Sequence, residues 1–383
     1  MYICAANNNK NMENNLLILT SFCAAVLLGA IIMPHILIIS YRKRLFDMPN
    51  ERKIHHNPVP RLGGVTFFPV ILCVASIFIA TRLKFNVIPD DDISTNLIIE
   101  FFYMTAGLTL LYIVGIADDL IGVRYRKKFL VQFFSASLFP ISGLYINNLY
   151  GLFNIYEISA SLGIALTILL VVFITNAINL IDGIDGLASG LSMIALVFFG
   201  SIFYYHDLWI HALLAFITIG VVIPFFMYNV FGNAQKGRKI FMGDTGSLTL
   251  GYIVSFFVVK YCMYYSTPLS DNTISPVLVS FSILMVPCLD VIRVVMRRAR
   301  NKEALFMPDK THIHHKFMQM GFTPHQALIS ILCMAIAFSV FTIVGILYID
   351  QTLVFLIDIA TWTVLNVWFD LIIAKRKKMA KQS

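Results

Sequence analysis

The chain has 383 residues, 58% of them hydrophobic and only 13% charged, with a mean hydropathy of +0.79. No soluble fold carries that balance, so the composition specifies an all-α integral membrane protein. The formal charge of +8 would suit a nucleic-acid binder, but no soluble basic domain exists to do the binding, and nucleic acid is excluded as a partner.

In chain order, the Asn-rich start (residues 1–15) reads as a disordered tail. Eleven apolar segments follow, at about 16–40, 63–82, 97–117, 129–147, 160–178, 187–205, 209–228, 247–265, 277–296, 326–348 and 352–374. Most approach the roughly 20 residues that cross a bilayer as a helix. The first is too long for a signal-peptide core and lacks a clear cleavage site, so it reads as an uncleaved anchor. Residues 16–374 form one multi-span domain, and 375–383 a basic tail. Six cysteines are scattered without a C-x-x-C pair and read as small packing residues.

With the N-terminus outside, the inside loops and the tail hold 25 of the 29 Lys and Arg, leaving only Lys10, Arg82, Lys84 and Lys260 elsewhere. That asymmetry is the positive-inside pattern, and it puts the C-terminus in the cytoplasm. The basic excess therefore orients the protein and attracts anionic membrane lipid and nucleotide phosphates. The same threading brings every polar cluster to the cytoplasmic side: Asp118-Asp119, the run Asn176 to Asp185, Gly243 to Ser247, and His312-Ile-His314-His315.

Polar and acidic groups at a bilayer edge are costly unless something there binds them. Asn176, Asn179, Asp182 and Asp185 are spaced by three, and each such step falls about 60° short of a full helical turn. Asn176 and Asp185 would point to opposite faces of a regular helix. Gly183 and Gly186 suggest that the helix ends or turns here, letting both carboxylates face one pocket; capping and loop hydrogen bonds are the plainer alternative. Asp118 and Asp119 close the third span, where carboxylates oppose the helix dipole. One could approach a cation or phosphate while the other caps or pairs with Lys127 or Lys128.

Phe241-Met-Gly-Asp-Thr-Gly-Ser247 opens the eighth span, and free N–H groups at a helix start suit a phosphate. Asp244 could hold Mg²⁺, a hard cation that prefers carboxylate and phosphate oxygens. The Walker spacing is absent, which leaves ATP hydrolysis unsupported. His312, His314 and His315 lack zincin spacing, and near phosphates imidazoles would donate hydrogen bonds or charge; solvated loop histidines are the bland reading. Asp290 and Arg293, three apart, could pair.

These motifs make the chain resemble the polyprenyl-phosphate N-acetylhexosamine-1-phosphate transferases, over about Asp47 to Phe317. The resemblance rests on Pro58-x-Pro60-Arg61-x-Gly63-Gly64, Asp118-Asp119 with Lys128-x-x-x-Gln132, N-x-x-N-x-x-D-G-x-D-G, F-x-G-D-x-G-S and H-x-H-H, in that order. It implies transfer of an N-acetylhexosamine-1-phosphate from a UDP-sugar to undecaprenyl phosphate, with release of UMP. It implies Mg²⁺ at Asp244, with Mn²⁺ able to substitute. Asp118 and Asp119 would sit beside the lipid phosphate. Asn176, Asn179, Asp182 and Asp185 would line the nucleotide-sugar pocket, with Phe241 stacking on uracil and Gly243 and Lys128 nearby. His312, His314 and His315 would contact the diphosphate, and Lys53 or His55 would help close the site. A homodimer in the bacterial inner membrane is part of the same implication. The H-I-H-H cluster, eleven spans and a basic tail suit a UDP-GlcNAc donor better than the MurNAc-pentapeptide nucleotide of peptidoglycan synthesis. Rival classes are a secondary transporter, whose site would lie nearer the bilayer midplane, a zinc membrane hydrolase and a non-catalytic scaffold.

Overall fold

A computed structural model of the chain describes residues 2–47, 59–84, 95–264, 275–303 and 311–380. Hydrocarbon offers no hydrogen bonds, so each apolar run satisfies its backbone internally as a helix. The helices are α1 (Tyr2–Lys43), α2 (Phe67–Lys84, after a 3-10 turn at Gly63–Thr66), α3 (Thr95–Ile121), α4 (Tyr125–Ile141), α5 (Ala160–Ile181), α6 (Leu187–Tyr205) and α7 (Trp209–Val230). They continue as α8 (Gly243–Tyr264), α9 (Pro276–Ile283), α10 (Met285–Arg300), α11 (Ile313–Gln319), α12 (Pro324–Gly345) and α13 (Gln351–Met379). Two small hairpins interrupt them: β1 (Phe46–Asp47) pairs with β2 (Val59–Pro60), and β3 (Asn148–Leu152) with β4 (Ile155–Glu157).

Among the described residues nine helices are long and apolar enough to cross a membrane, or ten if α9 and α10 count as one span. The chain is a multi-pass membrane protein. The fourth expected segment is α4, with 17 residues, and every expected segment meets a helix. The ninth expected segment is broken in two: α9 and α10 meet at Leu284 and bend by 75°. Pro287 has no N–H to offer the carbonyl of Ile283, so the helical ladder is interrupted where the chain turns. The Asn-rich start also differs from expectation, since α1 includes it. Once a long apolar helix exists, extending it adds a hydrogen bond per residue without a new nucleation cost.

The bundle is built around α7 and α8, whose most apolar windows are 78% and 89% buried, against 28% for α1, α3 and α13. The outer helices turn side chains such as Leu27, Ile31 and Phe102 outward, as contact with lipid tails allows. Small residues let helices approach closely where lipid competes with packing. At Gly115 a Cβ would lie 2.5 Å from the Cα of Thr245. That contact brings the end of α3 against the start of α8. The C-terminal ends of α3 and α5 and the N-terminal ends of α4, α6 and α8 thus meet at one end of the bundle.

Candidate active site

The first N–H groups of α8 have no partner inside their own helix. Asp119, from the end of α3, supplies one. Its carboxylate accepts from Asp244 N (2.8 Å), Thr245 N (3.0 Å) and Thr245 Oγ1 (2.6 Å). An anion here also meets the positive end of the α8 dipole. Gly243 has φ +72°, and a Cβ on it would lie 2.5 and 2.6 Å from the oxygens of Asp119. Glycine is therefore required at the turn that lets the carboxylate close on the helix.

Asp244 then projects into a polar cluster. Its Oδ1 accepts from Lys128 Nζ (2.8 Å) and from Asn179 Nδ2, and Asn179 Nδ2 also donates to Ser247 Oγ (2.7 Å). Lys128 Nζ reaches Asp118 Oδ2 as well (3.0 Å), while Asp118 Oδ1 accepts from Val123 N (2.6 Å). Lys128, rather than Lys127, is thus the partner of Asp118, and it holds carboxylates of α3 and α8 together.

Helix α5 ends at Ile181, with Asp182 as its C-cap, and α6 starts after Gly186 at φ +80°. The chain turns where the two glycines suggested, and Asp182 and Asp185 line the same cavity. Asp185 pairs with Lys239 Nζ at 2.6 Å. Burial, and then the neighbouring Asp185, Asp244 and Asp119, push the Asp182 carboxyl up to about 8. Asp182 is therefore protonated at neutral pH in the ligand-free cavity.

Helix α11 supplies the histidines. His314 and His315 line the cavity with ring centroids 4.2 Å apart, and the His314 ring fills the space a Cβ at Gly183 would need. Burial and then the adjacent His315 push the His314 imidazole down to about 3. It stays neutral at neutral pH and offers hydrogen bonds rather than charge. Among the described residues its Nδ1 meets no hydrogen-bonding partner, so a buried polar atom waits beside the cavity.

The cavity measures about 610 Å³ and is lined by Asp119, Asn179, Asp182, Asp185, Phe241, Gly243, Asp244, His314 and His315 among the expected residues. Asp118 and Lys128 are not on its wall; they reach it through the Lys128–Asp244 contact. Asn176 was expected in the sugar pocket and lies elsewhere. Its amide donates to Gln132 Oε1 (2.6 Å) and to the Val172 carbonyl (2.7 Å), joining α5 to α4. The angular lag over steps of three, while α5 is still helical, turns it away from Asp182. His312 was expected to contact substrate, but it lies behind His314, parallel to it at 5.9 Å between centroids. Lys53 and His55 fall outside the described residues.

Arg61, Asn229, Lys239, Ser247 and His325 also line the cavity and were not singled out from sequence. Arg61 and Ser247 stand inside the motifs, and Lys239 reads from sequence only as a topogenic charge. Asn229 and His325 carry no local signal. Backbone pairing seats the Arg61 loop: Phe241 N donates to Pro60 O (2.7 Å), Gly63 N to Phe241 O (2.9 Å) and Gly64 N to Met242 O (2.8 Å).

Residues 101–262 match the family model described as glycosyl transferase family 4. The probable undecaprenyl-phosphate N-acetylglucosaminyl 1-phosphate transferase of Bacillus subtilis (strain 168) is 32% identical over 335 residues, covering 87% of this chain and 86% of the relative. The undecaprenyl-phosphate alpha-N-acetylglucosaminyl 1-phosphate transferase of Yersinia pestis is 31% identical over 303 residues, 79% of this chain and 77% of its own. Its Escherichia coli (strain K12) counterpart is 29% identical over 294 residues, 75% and 72%. The matched region carries Asp119, Asn179, Asp182 and Asp244, which line the cavity from the ends of three helices, and the chain belongs to glycosyl transferase family 4.

Proposed function

We propose that this protein transfers N-acetylglucosamine-1-phosphate from UDP-N-acetylglucosamine to undecaprenyl phosphate, releasing UMP and initiating cell-envelope polysaccharide synthesis. The observation that carries this reading is the convergence of five separate segments on one polar cavity at the end of an apolar bundle. A water-soluble nucleotide-sugar and a polyprenyl phosphate can meet only at such a boundary. The names of the relatives, together with H-I-H-H, favour this donor over the MurNAc-pentapeptide nucleotide. The distribution of Lys and Arg supports a cavity that faces the cytoplasm.

In the reaction a lipid phosphate oxygen attacks the β-phosphorus of the UDP-sugar. One P–O bond forms, the P–O bond to UMP breaks, and the electron pair leaves with UMP. The attacking oxygen is already anionic, so positioning and charge stabilisation matter more than a strong base. Asp119 has both oxygens engaged at the start of α8 and keeps Asp244 in place. Asn179 and Lys128 orient the Asp244 carboxylate. His314 and His315 are placed to donate hydrogen bonds to the diphosphate. Arg61 and Lys239 add positive charge at the wall, and Phe241 offers a ring face to uracil.

Mg²⁺ fits the donor set. Among the described residues no group of three or more His, Cys, Asp or Glu could hold a metal alone, and Mg²⁺ characteristically takes one or two carboxylates plus phosphates and water. Asp244 would hold it from the oxygen not engaged by Lys128 and Asn179. When bound, the ion neutralises charge on the diphosphate and the departing UMP.

The test is incubation of purified protein with undecaprenyl phosphate, UDP-N-acetylglucosamine and Mg²⁺, measuring UMP and the lipid product. UMP with a lipid-linked N-acetylglucosamine pyrophosphate is the expected result, lost in Asp244→Ala. Release of UDP would mean ordinary glycosyl transfer and would overturn the reading. Turnover only with another UDP-N-acetylhexosamine would keep the reaction and change the donor.

A further inference from the structure

The group holding His312 is a buried carboxylate on the bent helix, itself paired with an arginine. Asp290 is fully buried on α10, less than two turns after the kink at Leu284. Its Oδ2 lies 2.7 Å from His312 Nδ1, and its Oδ1 accepts from Ile313 N at 3.0 Å and from Arg293 Nη2 at 2.7 Å. The same Arg293 nitrogen donates to the Thr311 carbonyl. One carboxylate and its ion-pair partner thus grip three consecutive residues, Thr311, His312 and Ile313, immediately before the two histidines on the cavity wall.

We propose that Asp290, with Arg293, is a positioning residue for the histidine segment: it sets the ring of His312 and the first turn of α11, and through them places His314 and His315 at the cavity. This deepens the proposed transferase reading and rests on it for the catalytic consequence. A carboxylate bonded to one imidazole nitrogen fixes which nitrogen faces away and how the ring is turned. His312 in turn lies parallel to His314, so a rotation of the first ring disturbs the second. The ring of His314 also packs directly against Gly183, which leaves it little room to adapt.

Asp290→Asn preserves shape while removing the charge that holds both His312 and Arg293. Hydrogen–deuterium exchange of the peptide covering Thr311–Lys316, in the ligand-free protein, should rise while α7 and α8 remain protected. Turnover should fall by roughly ten- to a hundred-fold, the usual range for losing a group that orients a functional imidazole. The fall should be in kcat more than in KM. In a His312→Gln background the same substitution should cost less than it does in wild type, since the His312 ring is one of the groups through which Asp290 acts.

Wild-type exchange and turnover in Asp290→Asn would overturn the proposal, as would fully multiplicative losses in the double variant. If Asp290→Asn fails to fold, Arg293→Gln tests the same clamp, and unchanged exchange and turnover there would be equally fatal. The exchange measurement does not depend on the donor. Raised exchange in a protein inactive with every UDP-sugar would sink the transferase reading and leave the positioning role standing.

Discussion

Replacing Asp119 by Ala separates a structural from a chemical role at the most acidic stretch of the third span. Its carboxylate accepts three hydrogen bonds, from Asp244 N, Thr245 N and Thr245 Oγ1. Loss of a helix-capping side chain typically costs about 0.5–2 kcal/mol. Each hydrogen bond to a charged acceptor contributes about 1.5–3 kcal/mol, and these values are not additive. Helix-dipole stabilisation of an anion adds about 0.3–1 kcal/mol. Water can reach part of the half-buried turn, so a total loss of about 2–4 kcal/mol is expected, well below the simple sum. Because α8 is the most enclosed span, fraying of its first turn should be felt across the bundle. The assay is the thermal midpoint of the detergent-purified, ligand-free variant against wild type, with Asp118→Ala as a comparison. Asp118 holds one backbone N–H and Lys128 but no α8 backbone, so its midpoint should drop less. An Asp119→Ala midpoint equal to wild type, with activity lost, would refute the capping argument and make Asp119 a purely chemical residue.

Gly243→Ala should behave like Asp119→Ala, because a side chain at φ +72° is strained and collides with that same carboxylate; wild-type stability in this variant would contradict the turn geometry. Lys128→Gln leaves Asp118 and Asp244 facing each other without the intervening cation, so turnover should fall at least about tenfold given the cost of unpairing partly buried charges. Mg²⁺ should raise the thermal midpoint of that variant more than that of wild type, since Asp244 then lacks its lysine partner, and equal shifts would argue against Asp244 as a ligand of the ion. The raised Asp182 pKa also predicts pH dependence. Its folded value of about 8 lies above the ordinary carboxylate range, so the folded state binds more protons between about pH 4 and 8. The stability it contributes is complete below about pH 4 and is lost as pH rises through about 8. Asp182→Asn should therefore flatten the decline of the metal-free thermal midpoint over that window; an unchanged slope would show that Asp182 is ionised throughout.

The amino-acid sequence determines the membrane class, the apolar segments and which motifs are chemical, because these follow from composition, period and local residue type. A run of Leu, Ile and Phe near twenty residues long has no stable alternative to a spanning helix. Gly183 and Gly186 likewise announce the turn that brings Asp182 and Asp185 to one pocket, and the five ordered motifs point to the family. What pairs with what was decided only in three dimensions. Asp119 as a cap for a helix 125 residues away, Lys128 between two carboxylates, and Asn176 facing Gln132 all depend on how close α3, α4, α5 and α8 approach. That approach is set by contacts such as Gly115 against Thr245, which no local pattern encodes. The bend at Leu284 had a local sign in Pro287, yet the contact of Asp290 with His312 required the position of α11. Asn229 and His325 join the site from helix ends with no motif at all. Local chemistry is written along the chain, but the distance between groups far apart in sequence is a property of packing, and here packing sets the roles of the charged residues.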